Sequence, residues 1–498
     1  SAYYPSAMKQ EDPRVITDIL SVCHIELGLR RLCSADGGSF LKLLQYKLTS
    51  LDPSVSANDV FQVIHCRYGL PASLDGFETF DHKCRPKKMG LGDAIQLSKF
   101  ISRFTFNNKK HPAVSPLKGD IKLIIDKIAE VYDGIDTKIP AVEHNQKHIQ
   151  DYLLDKSITM QFIVDAFNGE CKLPLEHPEY PGIEISDAGI HYLEGLMGLH
   201  FYKARKRTVQ SRASELELIE KNLLNDLWSG SNRFETWVAL GQTYSYMVED
   251  DLIWTADKLN SMERKQVTAM SQRKALMCYM MALSLHTKSS GNEKKAHEDV
   301  LLIFWNALAK ELYGSWMEPM SKKAFHVTPN KEGGETSKVT LFKLRSNDVP
   351  TTIILKILEL AFKKCSELDS TNWFALMYLS KTQWKIQYQE RDAHEMIGHM
   401  LTACDLAMKQ SNKEDPIIEP HYYLFALVEK CIKKRMITLP EAISYWKKDT
   451  LFEPIFEAGS VDSLPMEGLA LLILKRLISY DKKNWQHRPV FRLAQTYY

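Results

Sequence analysis

A chain of 498 residues is too long for one hydrophobic core, so two or more domains or an extended array are expected. With 44% hydrophobic and 25% charged residues it has the balance of a soluble globular protein. Its 64 Lys and Arg against 62 acids argue against a general binder of nucleic acid or of membrane surfaces, which needs a basic excess.

The start, SAYYPSAMKQ, has no basic-apolar signal segment, and no run of about 18 uncharged apolar residues follows, so a soluble, non-secreted chain is expected. Because it lacks an initial Met and stops inside a helical pattern at Tyr498, the chain is expected to be part of a longer one. Apolar residues recur at helical spacing almost throughout, and period-two alternation is rare. Val15, Ile16, Ile19, Leu20 and Cys23 form a first helical stripe, and Ile121, Leu123, Ile124, Ile128 and Val131 a second.

Between them lie Cys23-His24, Cys33, His65-Cys66 and FDHKC with His82 and Cys84, enough nitrogen and sulfur donors for zinc. No two have the C-x-x-C or i,i+4 histidine spacing that builds half a site locally, and helical domains bury Cys as a small hydrophobe. The expectation is therefore no metal and no cofactor. All nine cysteines are scattered without a CxxC pair, which reads as reduced thiols of an intracellular protein.

Loops are expected at NNKKHPAVSP (107–116), LPLEHPEYPG (173–182), PNKEGGETS (329–337) and KEDP (413–416), where Pro or Gly meets polar residues. The second of these sets a soft boundary: an irregular helical region over 1–172 and tetratricopeptide-like repeats over 173–498, continuing past the end. An apolar helix at 190–202 ends in Lys203, Arg205, Lys206 and Arg207. Lys430, Lys433, Lys434 and Arg435 close another that starts near His421. Both clusters suit the negative end of a helix dipole, with phosphate or acidic-partner contact as the other reading; no aromatic residues interleave with them. Ser214 and Glu217 read as a capping box for a helix from about Glu215 to Trp228.

The segment ETWVALGQTYSY (235–246) carries the tetratricopeptide first-helix pattern in Trp237, Leu240, Gly241 and Tyr244, with Ala275, Tyr279 and Ala282 as the second helix. The spacing between the halves is longer than in a regular repeat. The excess includes EDDLIW (249–254), so the repeat is expected to hold an insert. Glu249, Asp250, Asp251 and Trp254 are the candidate partner-binding residues, since charge steers approach and a desolvated Trp anchors it; the alternative is that the carboxylates cap the next helix and Trp254 fills a groove. Trp373, Leu376 and Ser380 with Met396, Met400 and Ala403 make a degraded copy, and Leu493, Ala494 and Tyr497 open a third. The expected fold is thus an all-α, tetratricopeptide-like array, an α-solenoid with irregular inserts.

No G-x-S-x-G, phosphate-binding or dinucleotide-binding glycine motif or H-E-x-x-H occurs. His394, Glu395 and His399 miss the last by one residue, so no enzyme is expected.

The stretch NRFETWVALGQTYSYMVEDDLIWTADKLN (232–260) resembles the histone-regulator subunit-three family, fungal counterparts of the cabin calcineurin-binding proteins. CRYGLP (66–71), DHKC (81–84) and NWQHRPVFRLAQTYY resemble other segments of that family in the same order. The resemblance implies a nuclear, non-catalytic scaffold in a HIRA-type histone chaperone complex, which holds the WD-repeat HIRA-type subunit, helps deposit H3–H4 outside replication and takes part in histone-gene regulation. It supplies no catalytic residues. The competing expectation is an unrelated intracellular helical-repeat adaptor in trafficking or signalling.

Overall fold

Helix-spaced apolar residues leave one face of each segment needing cover, and successive helices supply it for one another. The computed structural model describes residues 13–497 except 75, 108–109, 133–137, 206–212, 255–260, 326–348, 387–391, 413–414 and 458–463. Among the described residues there are twenty-one α-helices, and the extended structure is a two-residue antiparallel hairpin, Ser73–Leu74 with Phe77–Glu78, plus one isolated bridge. The fold is all-α, and none of its described helices is long and apolar enough to cross a membrane.

The chain divides into two compact units, Ser1–Ile303 with Lys323–Asn347, and Phe304–Lys322 with Asp348–Tyr498. The first holds α1 (Pro13–Leu29), α2 (Ser39–Thr49), α3 (Pro53–Tyr68), α4 (Leu91–Phe106), α5 (Gly119–Val131), α6 (Pro140–Gln150), α7 (Met160–Phe167), α8 (Ile183–Asp187), α9 (Ile190–Ala204), α10 (Ala213–Trp228), α11 (Phe234–Trp254) and α12 (Met262–Lys288). The division falls inside α13 (Gly291–Trp316). The second unit holds α14 (Thr351–Leu368), α15 (Trp373–Lys385), α16 (Ala393–Gln410), α17 (Glu419–Lys433), α18 (Leu439–Lys447), α19 (Glu453–Glu457), α20 (Met466–Tyr480) and α21 (His487–Tyr497).

Neighbours in sequence pack as neighbours in space: α9 on α10, α10 on α11, α11 on α12, and in the second unit α14 through α18 in succession. This nearest-neighbour packing is the organisation of a helical-repeat array. In the first unit α12 also packs on α7, so helices from both sides of residue 172 share it. We propose the division at 172–173 only as the place where regular hairpins begin.

Three local expectations are corrected. In α1 the expected stripe is not a buried face: Val15 and Ile19 are 51% and 59% exposed and Cys23 is exposed, whereas His24 and Gly28 point inward. The side chain of Ile16 lies outside the described residues. In α5 the buried row is Ile121, Ile124, Ile125 and Ile128, and Leu123 is exposed. Ser214 and Glu217 lie inside α10, which begins at Ala213; a full capping box forms instead at α18, between Thr438 and Glu441. The described residues of 107–116 and 173–182 fall between helices, and Asp415 and Pro416 between α16 and α17, while 108–109, 329–337 and 413–414 lie outside the described residues.

Candidate partner-binding site

The α11–α12 hairpin is built on the residues of the repeat pattern. Trp237, Leu240 and Tyr244 of α11 and Ala275, Tyr279 and Ala282 of α12 are all buried. Gly241 sits against the Tyr279 ring, where a Cβ would come within 2.5 Å of Cε1. The polar ends of these rings are satisfied: the Trp237 indole donates to Asn232 Oδ1 at 2.7 Å, the Tyr244 hydroxyl to Glu220 at 2.7 Å, and the Tyr279 hydroxyl lies 3.0 Å from Ser245 Oγ. In the degraded copy, Ser380 of α15 donates to the Met396 carbonyl of α16 at 2.8 Å, and Met396, Met400 and Ala403 are buried. Of the third copy's residues in α21, Leu493 packs on the core, whereas Ala494 and Tyr497 face solvent.

The EDDLIW segment is not a looped interruption. α11 runs through it to Trp254, and α12 is 27 residues long, so the extra spacing lengthens the helices of the hairpin. Acidic groups in a last helical turn oppose the dipole and need partners. Asp250 accepts from the Tyr202 hydroxyl of α9 at 2.7 Å; Asp251 pairs with Arg264 and accepts from Thr268 at 3.0 Å, both on α12. The expected capping role falls to Ser261, whose hydroxyl accepts from Arg264 N. Glu249 is half-buried beside them, and the side chain of Trp254 lies outside the described residues. The acids therefore tie α11 to α9 and α12, and the exposed apolar residue at this end is Ile253.

The described members of the two basic clusters differ in their surroundings, and Lys433, Lys434 and Arg435 are exposed. Lys203 lies over the Tyr246 ring and donates to Gln242, Arg205 pairs with Glu215 at 2.7 Å, and Lys206 and Arg207 lie outside the described residues. Lys433 pairs with Glu429 at 2.6 Å. Around Lys430, however, packing supplies the aromatics that the sequence order lacks: it shares a cavity with Trp384, Tyr423, Tyr313, Trp316 and Lys381. Lys381 stands over the rings of Tyr423 and Tyr378, 3.8 and 4.1 Å from their centroids. The cavity is thus lined by aromatic rings and lysine side chains from α13, α15 and α17. Sequence reading missed Lys381 and Trp384 because most of the rings and lysines around them lie on α13 and α17; the local signals were Tyr378, three residues before Lys381, and the run QWKIQYQ after it.

Burial pushes the Lys381 ammonium down to about 7, with Arg488, Lys430 and Lys385 adding to the effect and Glu419 opposing it. In the folded chain it sheds its proton near neutrality, whereas an unfolded lysine keeps it to about pH 10. The unfolded state thus binds more protons in between, and this group makes stability rise with pH over that window. The stability difference between the parent and Lys381→Met is expected to shift in the parent's favour from pH 7 to 9, read by denaturant melts; a pH-independent difference contradicts the depressed ammonium.

Two histidines singled out in the sequence and one cluster formed by packing can be placed among the described residues. His399 bonds Gln383 at 3.1 Å and His394 bonds Tyr445, on separate paths. Cys404, His421 and Asp449 do meet in the core of the second unit, with His421 Nδ1 2.6 Å from Asp449 Oδ2. All three are fully buried, and burial, with the Asp449 carboxylate next, holds the Cys404 thiol well above its ordinary range, the reverse of an activated nucleophile.

The zinc candidates set aside on spacing are brought together: His24, Cys33, Cys66 and His82 converge in the first unit, with Cys84 beside them, while His65 and the exposed Cys23 stay outside the group. Burial, with His82 second, holds the His24 imidazole down to about 4, so it is neutral.

The family model described as the HIR3 helical bundle domain matches residues 108–369, over half of the chain. The chain belongs to the histone transcription regulator 3 family. Two further models of that family, its helical domain and its TPR domain, match residues 1–88 and 395–498. Proteins named histone transcription regulator 3 homolog are similar along nearly the whole chain. That of Debaryomyces hansenii is 33% identical over 98% of this chain and 28% of its own length, and that of Candida albicans 34% identical over 98% and 30%. For Eremothecium gossypii the figures are 31% identity, 99% and 31%. The chain thus spans under a third of the length of these histone transcription regulator 3 relatives.

Proposed function

We propose that this chain is a non-enzymatic scaffold segment acting in histone regulation. More finely, it serves in the nucleus as a helical arm of a HIRA-type histone chaperone complex, holding the WD-repeat subunit and helping to position H3–H4. Membership of the histone transcription regulator 3 family carries the reading, and the arrangement of stacked hairpins supports it, because such arrays present long continuous faces to other subunits. The proposed partner contact is the end of α11, at Glu249, Asp250, Asp251 and Trp254. Since Asp250 and Asp251 also hold the hairpin together, the informative substitutions there are Glu249→Ala and Ile253→Asp.

The test is a pull-down of a HIRA-type subunit and of H3–H4 by the chain and by these variants, with melting temperature as the control for folding. Capture by the parent, reduced in variants that melt normally, supports both the scaffold role and the α11 contact. Undiminished capture moves the contact elsewhere, and no capture by the parent overturns the scaffold role of this segment.

A further inference from the structure

Helix packing in the N-terminal part of the first unit draws four donor side chains from distant places in the sequence. His24 comes from the inner side of α1, Cys33 from the connection to α2, Cys66 from the last turns of α3, and His82 from the extended run that follows the 73–78 hairpin. One ligand atom from each lies within 4.8 Å of all the others. His82 Nδ1 is 3.4 Å from Cys33 Sγ and 3.3 Å from Cys66 Sγ. Metal–sulfur and metal–nitrogen bonds of zinc, at about 2.3 and 2.0–2.1 Å, set tetrahedral sulfur–nitrogen edges of about 3.5 Å. The two imidazole rings stand nearly perpendicular, at 89°, with centroids 5.2 Å apart, as rings on different vertices do.

We infer that His24, Cys33, Cys66 and His82 form a structural zinc site that fastens α1 and the 79–90 segment to α3.

The surroundings are those of a closed metal site. His24, Cys33 and Cys66 are 2%, 1% and 2% exposed, and His24 Nε2 is buried with no hydrogen-bond partner, an arrangement that folded proteins avoid unless something else completes it. Gln62 Nε2 lies 3.4 Å from Cys66 Sγ, placed to donate to a thiolate. That amide is itself fixed by two bonds to the Phe80 backbone, the outer support that metal-bound sulfur requires. Gly28 lets the His82 ring lie directly on α1, where any side chain would collide with it. The fastening also has work to do. Residues 79–90 form neither helix nor strand, and the aliphatics Val15, Ile19 and Val22 of α1 face solvent, so neither segment is held by an extensive apolar face.

Two thiolates and two imidazoles select a soft, tetrahedral ion and reject magnesium or calcium, which take oxygen donors. The absence of a local C-x-x-C pair does not count against the set, since each donor is placed by a different element.

The test begins with elemental analysis of the chain purified without chelator, and about one zinc per chain is expected. Cobalt(II) reconstitution of the chelator-stripped chain should give the intense visible bands of a tetrahedral site and the charge-transfer absorption of cobalt–thiolate bonds, a readout that needs no variant to fold. Cys33→Ser with Cys66→Ser should remove the zinc, whereas Cys23→Ser and Cys84→Ser should retain it. Chelation should open residues 79–90 to protease, and added zinc should close them again. A zinc-free parent that gives only octahedral cobalt spectra overturns the site, reducing the cluster to a hydrogen-bonded thiol–imidazole group. Retention of zinc by the double variant, or its loss from Cys84→Ser, overturns the ligand set.

Discussion

Gly241→Leu is expected to destabilise the first unit by about 2–3 kcal/mol, the upper part of the usual cost of overpacking a filled core. A single Cβ at 241 would already lie 2.5 Å from Cε1 of Tyr279 and 2.9 Å from its Cδ1 and Cζ. The ring cannot retreat easily, because Tyr279 is fully buried and its hydroxyl is tied to Ser245. The cost should fall when Tyr279 is first cut to Leu, so a double-mutant cycle with Gly241→Ala and Tyr279→Leu should give a coupling of about 1 kcal/mol or more. Additive effects, or a Gly241→Leu variant that melts with the parent, would show that α11 and α12 do not meet at this position.

Asp449→Ala should be at least as damaging, at about 3–5 kcal/mol, the range for breaking a buried, hydrogen-bonded pair from one side. The Asp449 carboxylate bonds His421 Nδ1 at 2.6 Å through one oxygen, and through the other accepts from the backbone amides of Leu451 and Phe452 at 2.9 and 3.3 Å. It thereby joins the first turn of α17 to the tight connection after α18, in a region closed by Trp446 and Phe452. Truncation leaves the His421 imidazole and the Leu451 amide without their acceptor in the core, while the Phe452 amide keeps the Asp449 backbone carbonyl at 3.0 Å. Asp449→Asn keeps an acceptor for the amides and should cost less. Equal losses for Ala and Asn would mean that the amides contribute nothing and that the effect is carried by His421 alone. Chemical denaturation of both variants, followed by tryptophan fluorescence, makes the comparison.

Several features were legible in the residues because they depend on neighbours within one or two turns. The dominance of helix follows from apolar spacing, and the helix ends at Phe106 and Gln410 and the gap before Ile183 follow from proline, glycine and polar runs. The α11–α12 contact could be read because a Gly one residue past Leu240, with Tyr244 three residues on, suits only a closely approached helix face. The stripe of α1 misled for the same local reason: periodicity says that a face exists and cannot say whether anything covers it. The acidic end of α11 misled differently. Its extra residues looked like an insertion, yet helical propensity carries α11 through them, with Tyr202, Arg264 and Thr268 meeting the charges from other helices.

What the sequence by itself determined, then, was an all-helical chain, the register of its central repeat hairpin, and a resemblance resting on residues 232–260. Only the tertiary structure decided where chemistry collects. Lys381 gains its aromatic neighbours, Cys404 its histidine and carboxylate, and His24 its two thiols and second imidazole by the packing of elements tens of residues apart. Helix formation is set by hydrogen bonds between residues four apart, so its signals are written locally. A cluster of donors is set by which helix faces cover one another, and that choice is made by the whole core at once.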